Sequence, residues 1–215
     1  MASQDSSRSM KRWLLGCLLA CHSQVNDVPL TIAKDVNNSS SVSIDAGEDV
    51  VDTVPVILPK KILLIGDSQV RYLSWYMDRA GVKQPNETVF FDSKPGTTIL
   101  TWNNIFVREM SKYPNIDEVL IFLGTNNFNF GFLQDHQNIL NEIKRRNVKC
   151  LWIGPTNVRM NGFKNLHMIG PLIKKAVEPV CKFFDTEAAG IELADGIHPS
   201  LDGAVKWLRD IWKVK

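Results

Sequence analysis

Five short apolar runs, each followed by a segment with helical spacing, constrain this chain more than any other feature of its sequence. Lys61 to Gly66 (KILLIG), Thr88 to Asp92 (TVFFD), Glu118 to Leu123 (EVLIFL), Val148 to Gly154 (VKCLWIG) and Lys182 to Asp185 read as strands. Val70, Leu73, Trp75, Tyr76 and Met77 recur at roughly helical spacing before Gly81. The segments Ile99 to Met110, Phe132 to Arg145, Phe163 to Val177 and Leu201 to Trp212 read as further helices. Strands apolar on both faces that alternate with helices belong to parallel sheets, because a parallel pair needs a crossover connection and its helices cover both faces. The expected class is α/β: a three-layer α/β/α sandwich around a mostly parallel five-stranded sheet. In such sheets ligands bind beyond the carboxyl ends of the strands, so the loops after the strands are where chemistry is expected.

Composition narrows the function classes. At 215 residues, with 44% hydrophobic and 22% charged residues, the chain has enough apolar material for one packed domain plus a tail. A net charge of +2 supplies no field for gathering nucleic acid, which is not expected as a partner. Four cysteines without a Cys-x-x-Cys pair give neither a disulfide scaffold nor zinc-ligand spacing, so no metal and no cofactor are expected. Gly-x-Ser-x-Gly, Gly-x-Gly-x-x-Gly and the P-loop pattern are all absent from the sequence.

The domain of interest is expected at residues 59–215, preceded by two segments of different character. Residues 1–21 hold a basic Lys11-Arg12 pair, the apolar run Trp13 to Ala20 and Cys21, the layout of an export signal, with translation starting at Met1 or Met10. Leu18-Leu19-Ala20-Cys21 resembles the lipobox of bacterial lipoproteins, which would make Cys21 a membrane tether. The alternative is a frayed N-terminal helix on a cytoplasmic protein. Residues 22–58 are rich in Asn, Ser and Asp, with Asp27, Asp35, Asp45, Glu48, Asp49 and Asp52 set against Lys34 alone, and read as an acidic linker.

Four loops carry candidate chemistry: Gly66-Asp67-Ser68, Pro95-Gly96-Thr97-Thr98, Gly124-Thr125-Asn126-Asn127 and Asp195-Gly196-Ile197-His198-Pro199. Acyl transfer needs an activated hydroxyl, a base, a group that orients the base, and donors for the developing oxyanion. Ser68 on a strand-to-helix turn supplies the hydroxyl and His198 the base. Asp195, three residues before His198, can accept from one ring nitrogen while the other faces Ser68. The backbone N–H groups of Ser68 and Gly96 and the side-chain amide of Asn126 can serve as oxyanion donors, each worth roughly 3 kcal/mol in comparable sites.

In their order and spacing these four blocks resemble those of the SGNH (GDSL-type) hydrolases, over about Lys61 to Trp212. The resemblance implies a flavodoxin-like sandwich of the SGNH-hydrolase type and metal-free ester hydrolysis. It also implies a Ser68–His198–Asp195 triad, with Gly96 and Asn126 as oxyanion donors beside Ser68. The implied substrates are esters or thioesters, including acetylated sugars, lysophospholipids and acyl thioesters. Two departures, Gln69 after the serine and Asn127 in place of an aspartate, bear on substrate fit.

Each residue also has a plainer reading. Ser68 can cap a helix, Asp195 can cap a turn, His198 can be an ordinary loop histidine, and Asn126 and Asn127 can be turn residues. Asn127, Phe128, Trp102 and Arg159 are the candidate substrate contacts; the alternative is that Phe128, Phe130 and Trp102 pack beneath the loops and that Arg159 is solvated. Cys150 and Cys181 read either as buried free thiols or as a disulfide. His22, His136 and His167 are expected at the surface. The expected partner is a small-molecule or glycan ester; oligomeric state is left open.

Overall fold

The computed structural model describes residues 58–127, 136–156, 158 and 166–215. Eleven elements are described: β1 (Lys60–Gly66), α1 (Ser68–Ala80), β2 (Glu87–Ser93), α2 (Ile99–Ser111), β3 (Glu118–Phe122), α3 (Gln137–Arg146), β4 (Lys149–Ile153), α4 (Leu166–Val177), β5 (Lys182–Phe184), α5 (Thr186–Ala189) and α6 (Leu201–Val214). All five expected strands form, within two residues of their expected ends. Short α5, which four residues cannot announce by periodicity, is an addition.

The sheet runs β2-β1-β3-β4-β5 and is wholly parallel, where the sequence indicated a mostly parallel one. From β1 the chain turns first to β2 on one side and then returns to β3 on the other. Strand order therefore reverses between β1 and β3, and the crevice at their carboxyl ends is the place such sheets offer a ligand.

Period-two alternation divides the strands between two cores. Leu63 and Ile65 of β1, Val119 and Ile121 of β3, and Trp152 of β4 face one side, where Trp102, Phe106 and Met110 of α2 and Ile139 and Ile143 of α3 cover them. Ile62 and Leu64, Leu120 and Phe122, and Leu151 and Ile153 face the other, against Val70, Leu73 and Met77 of α1 and Ala204, Trp207, Leu208 and Ile211 of α6. Each such large side chain, fully buried, contributes about 1.5–3 kcal/mol.

Two sequence expectations are corrected by packing. Trp75, counted with the apolar face of the first helix, is 60% exposed, because that face is Val70, Leu73, Met77 and Ala80. His136, expected at the surface, is buried at the start of α3. The question the sequence left open at Cys150 and Cys181 is answered by a disulfide that joins β4 to the residue before β5, with both half-cystines inside the α2–α3 core. Its sequence separation of 31 residues predicts that Cys150→Ala/Cys181→Ala loses about 2–4 kcal/mol of stability. Denaturant titration of the double variant against the oxidised chain measures this; coincident midpoints would show that the bond adds nothing.

Candidate active site

The turn after β1 is shaped by a close approach of backbones. A Cβ at Gly66 would stand 2.2 Å from the Phe122 carbonyl oxygen, so only glycine fits there. This lets the Asp67 N–H donate to Phe122 O at 3.2 Å, the Lys94 N–H to Gly66 O at 2.8 Å, and Ser93 Oγ to Asp67 O at 2.8 Å, tying the ends of β1, β2 and β3 together. Asp67 then caps α1, its Oδ1 accepting from the Gln69 N–H at 2.9 Å, and Ser68 becomes the first residue of the helix.

The loop before α6 reaches the same place from the far end of the sequence. Leu193 and Pro199 form an antiparallel bridge, closed by Ala194 N–H to His198 O at 2.8 Å and Ser200 N–H to Glu192 O at 3.0 Å. Within it, Asp195 Oδ1 accepts from the backbone N–H groups of Ile197 (2.9 Å) and His198 (2.7 Å), the side-chain turn that aspartate favours. Asp195 Oδ2 lies 2.7 Å from His198 Nδ1, and His198 Nε2 lies 2.9 Å from Ser68 Oγ. Ser68, His198 and Asp195 thus form one hydrogen-bonded chain. Burial works to raise the Asp195 carboxyl, but the hydrogen bonds from the His198 ring and from the two backbone N–H groups outweigh it and hold the group at about 2.

The Ile197 carbonyl, next to the histidine, is held twice. Gln69 Nε2 donates to it at 3.0 Å and Thr156 Oγ1 at 3.1 Å, both from buried side chains. Tyr72 stacks flat on the His198 ring, 4.3 Å between centroids and 15° between planes. Gln69 was visible in the sequence only as a departure; its partner lies 128 residues away. Tyr72 was overlooked, although its position four residues after Ser68 puts it on the same helix face.

The oxyanion candidates are gathered as well. Asn126 Nδ2 donates to Asp67 Oδ2 at 3.2 Å and to Thr97 O at 3.1 Å, which brings the loops after β1, β2 and β3 together around Ser68. Gly96 adopts φ 74°, a left-handed conformation that suits glycine. Its loop is stapled by Thr97 Oγ1 to Lys94 O at 2.5 Å and by Trp102 Nε1 to Thr97 Oγ1 at 2.9 Å.

Two of the candidate substrate contacts, Trp102 and Asn127, are buried. Trp102 is fully buried in the α2 core, and its indole supports the Gly96 loop from beneath. Asn127 is also buried, with Oδ1 accepting from the Ile99 N–H at the start of α2. The sequence suggests substrate contacts at both positions; packing and capping occupy them instead. Phe128, Phe130 and Arg159 lie outside the described residues.

Solved structures that share this architecture include three from bacteria. The aryl esterase of M. smegmatis is 16% identical, the match covering 72% of this chain and 97% of that one at a TM-score of 0.59. A lipolytic protein of the G-D-S-L family from Veillonella parvula is 15% identical over 72% of this chain and 97% of that one, at 0.57. The fold is that of the GDSL-type (SGNH) hydrolases. The C-terminal catalytic domain of the Streptococcus pneumoniae peptidoglycan O-acetyltransferase A is similar too, 17% identical over 73% of this chain and 92% of that one, at 0.57. No protein-family model matches the chain, and no curated protein matches it by sequence. The expected SGNH-type sandwich is therefore present, at identities where the likeness is one of fold.

Asp67 is the electrostatic outlier of this fold. Fully buried, with amide donors and, among the described residues, no cation partner, its carboxyl is pushed up to about 7 by burial, which the Gln69 N–H only partly offsets. The neutral acid is thus favoured by folding. This group's contribution to stability is fully present below about pH 4 and is lost as pH rises toward 7. Asp67→Asn keeps a cap for α1 and removes the titration. The melting temperature of the variant relative to the wild type should rise between pH 5 and pH 8; a difference that stays constant across that range would show that Asp67 titrates normally.

Proposed function

We propose that the protein is a serine esterase that hydrolyses carboxylic esters through an acyl-enzyme, with short acyl groups, acetyl above all, on a carbohydrate or other small substrate. The observation that carries this reading is the hydrogen-bonded chain from Ser68 Oγ through His198 to Asp195 at 2.9 and 2.7 Å. Ser68 Oγ attacks the ester carbonyl while His198 Nε2 takes its proton, and Asp195 holds the Nδ1–H and stabilises the imidazolium. The carbonyl oxygen becomes an oxyanion facing the N–H groups of Ser68 and Gly96 and the amide of Asn126. His198 returns the proton to the alcohol oxygen as the C–O bond breaks. Water, deprotonated by the same nitrogen, then attacks the acyl-serine and releases the acid.

Short acyl groups are supported by a domain of modest size without an apolar cap segment to enclose a long chain. An acetylated glycan is in keeping with the structural likeness to a domain named for peptidoglycan O-acetyl transfer. Export is part of the proposal: the buried Cys150–Cys181 disulfide suits an oxidising compartment, as does the signal-like segment ending at Cys21.

Hydrolysis of p-nitrophenyl esters from acetyl to dodecanoyl tests the reading. Ser68→Ala should lose at least about a thousand-fold in kcat on the acetyl ester. Retained turnover in that variant would end the serine mechanism, and comparable rates on dodecanoyl and acetyl esters would end the short-acyl preference. Gln69→Leu, which removes one of the two donors to Ile197 O, should lower kcat about five- to ten-fold, the worth of roughly one hydrogen bond, with KM nearly constant. If KM rose instead at constant kcat, Gln69 would act on substrate and not on the histidine loop.

A further inference from the structure

The helix that begins with Ser68 carries an aromatic stripe away from it. Tyr72 and Trp75 follow the serine by four and seven residues, the spacing that stacks side chains along one helix face. At 1.5 Å per residue the stripe extends about 10 Å from the hydroxyl. Its rings touch in series: His198 on Tyr72 at 4.3 Å and 15°, then Tyr72 on Trp75 at 5.0 Å and 53°. None of this serves the core, which α1 meets through Val70, Leu73, Met77 and Ala80. Trp75 stays 60% exposed while Trp102, Trp152 and Trp207 are all at 1% or less.

The surroundings of Trp75 are polar and uncommitted. Arg71, Asp78 and Arg79, at four residues before and three and four after it, are its helix-surface neighbours and are exposed. Among the described residues, none of their charged ends makes an ion pair or a side-chain hydrogen bond. An open ring with a rim of free donors and an acceptor cannot enclose a hydrocarbon chain. It matches a pyranose, which offers a patch of C–H groups on its face and hydroxyls around its edge. A β-1,4-linked gluco-configured ring fits best, since its equatorial substituents leave C–H groups on both faces.

We propose that the Tyr72–Trp75 stripe of α1 is a subsite for a β-1,4-linked pyranose in the alcohol portion of the substrate, with Arg71, Asp78 and Arg79 binding its hydroxyls. The inference rests on the esterase reading. In that reaction the leaving oxygen lies within reach of His198 Nε2, and the group attached to it continues along the ring that stacks on His198.

The test uses the full chain, with O-acetylated cellohexaose and p-nitrophenyl acetate as substrates and cellohexaose as a calorimetric ligand of the Ser68→Ala protein. Trp75→Ala should lower the ratio of kcat/KM on the acetylated hexaose to that on p-nitrophenyl acetate about ten-fold, chiefly through KM on the hexaose. Trp75→Phe should recover much of it. Adding Trp75→Ala to Ser68→Ala should weaken cellohexaose binding about ten-fold. An unchanged ratio together with unchanged binding would overturn the subsite. Turnover of p-nitrophenyl acetate with no binding of cellohexaose would overturn it while leaving the esterase standing. Inactivity on both esters would end the esterase reading, and the binding arm would still decide whether Trp75 holds a sugar.

Discussion

The contact between the end of β1 and the end of β3 governs this molecule. Gly66 brings its backbone against the Phe122 carbonyl where a Cβ would collide at 2.2 Å, and the Asp67 N–H closes the gap with a hydrogen bond. Because these strands flank the point where sheet order reverses, the same contact sets both sides of the crevice. Asp67 is left buried at the head of α1, Ser68 opens into the crevice, and Asn126, two residues past Gly124 on the other side, reaches across to the aspartate. A bulkier residue at Gly66 would part the strands and with them the serine from the amide.

The second constraint is the holding of the His198 loop. Loops are the mobile parts of a fold, and a base must be fixed to within a fraction of an ångström. Here the Leu193–Pro199 bridge pins the loop at its ends, Asp195 pins its backbone from within, and Gln69 of α1 and Thr156 of the loop after β4 pin the Ile197 carbonyl. Gln69 is the residue after Ser68, so the proposed nucleophile and the proposed base are referenced to one another through a single side chain. Tyr72 closes the open face of the imidazole.

Burial acts on several carboxyls of this fold with opposite results, and the partners decide the sign. Glu109 and Glu142 are nearly as buried as Asp67, yet both are held at about 2. Burial pushes Glu109 up, but Lys112, Arg108 and Lys94 outweigh it; for Glu142 the Arg145 hydrogen bonds dominate, with Arg146 adding to them. Among the described residues, the Asp67 carboxyl meets N–H groups alone, and it rises to about 7. The cations that hold Glu109 and Glu142 sit on and beside helices α2 and α3, and among the described residues none of them pairs with Asp67.

Alternation of strand and helix, the division of apolar residues between two cores, and the four loop motifs were all determined by the sequence, because period two and period 3.6 are local properties of the chain. Ser68, Asp195 and His198 were legible for the same reason, each sitting in a short motif at the end of an element. Packing decided the rest. Trp102 and Asn127 have the chemistry of substrate contacts, but α2 buries one and is capped by the other. Trp75 belongs to a helix whose apolar face is already complete without it, so it stands in water. The role of Gln69 depends on a carbonyl 128 residues away, and the Cys150–Cys181 bond on the adjacency of β4 and β5. A sequence states which side chains a segment offers; which of them meet across the chain is set only when the sheet closes and fixes their separation.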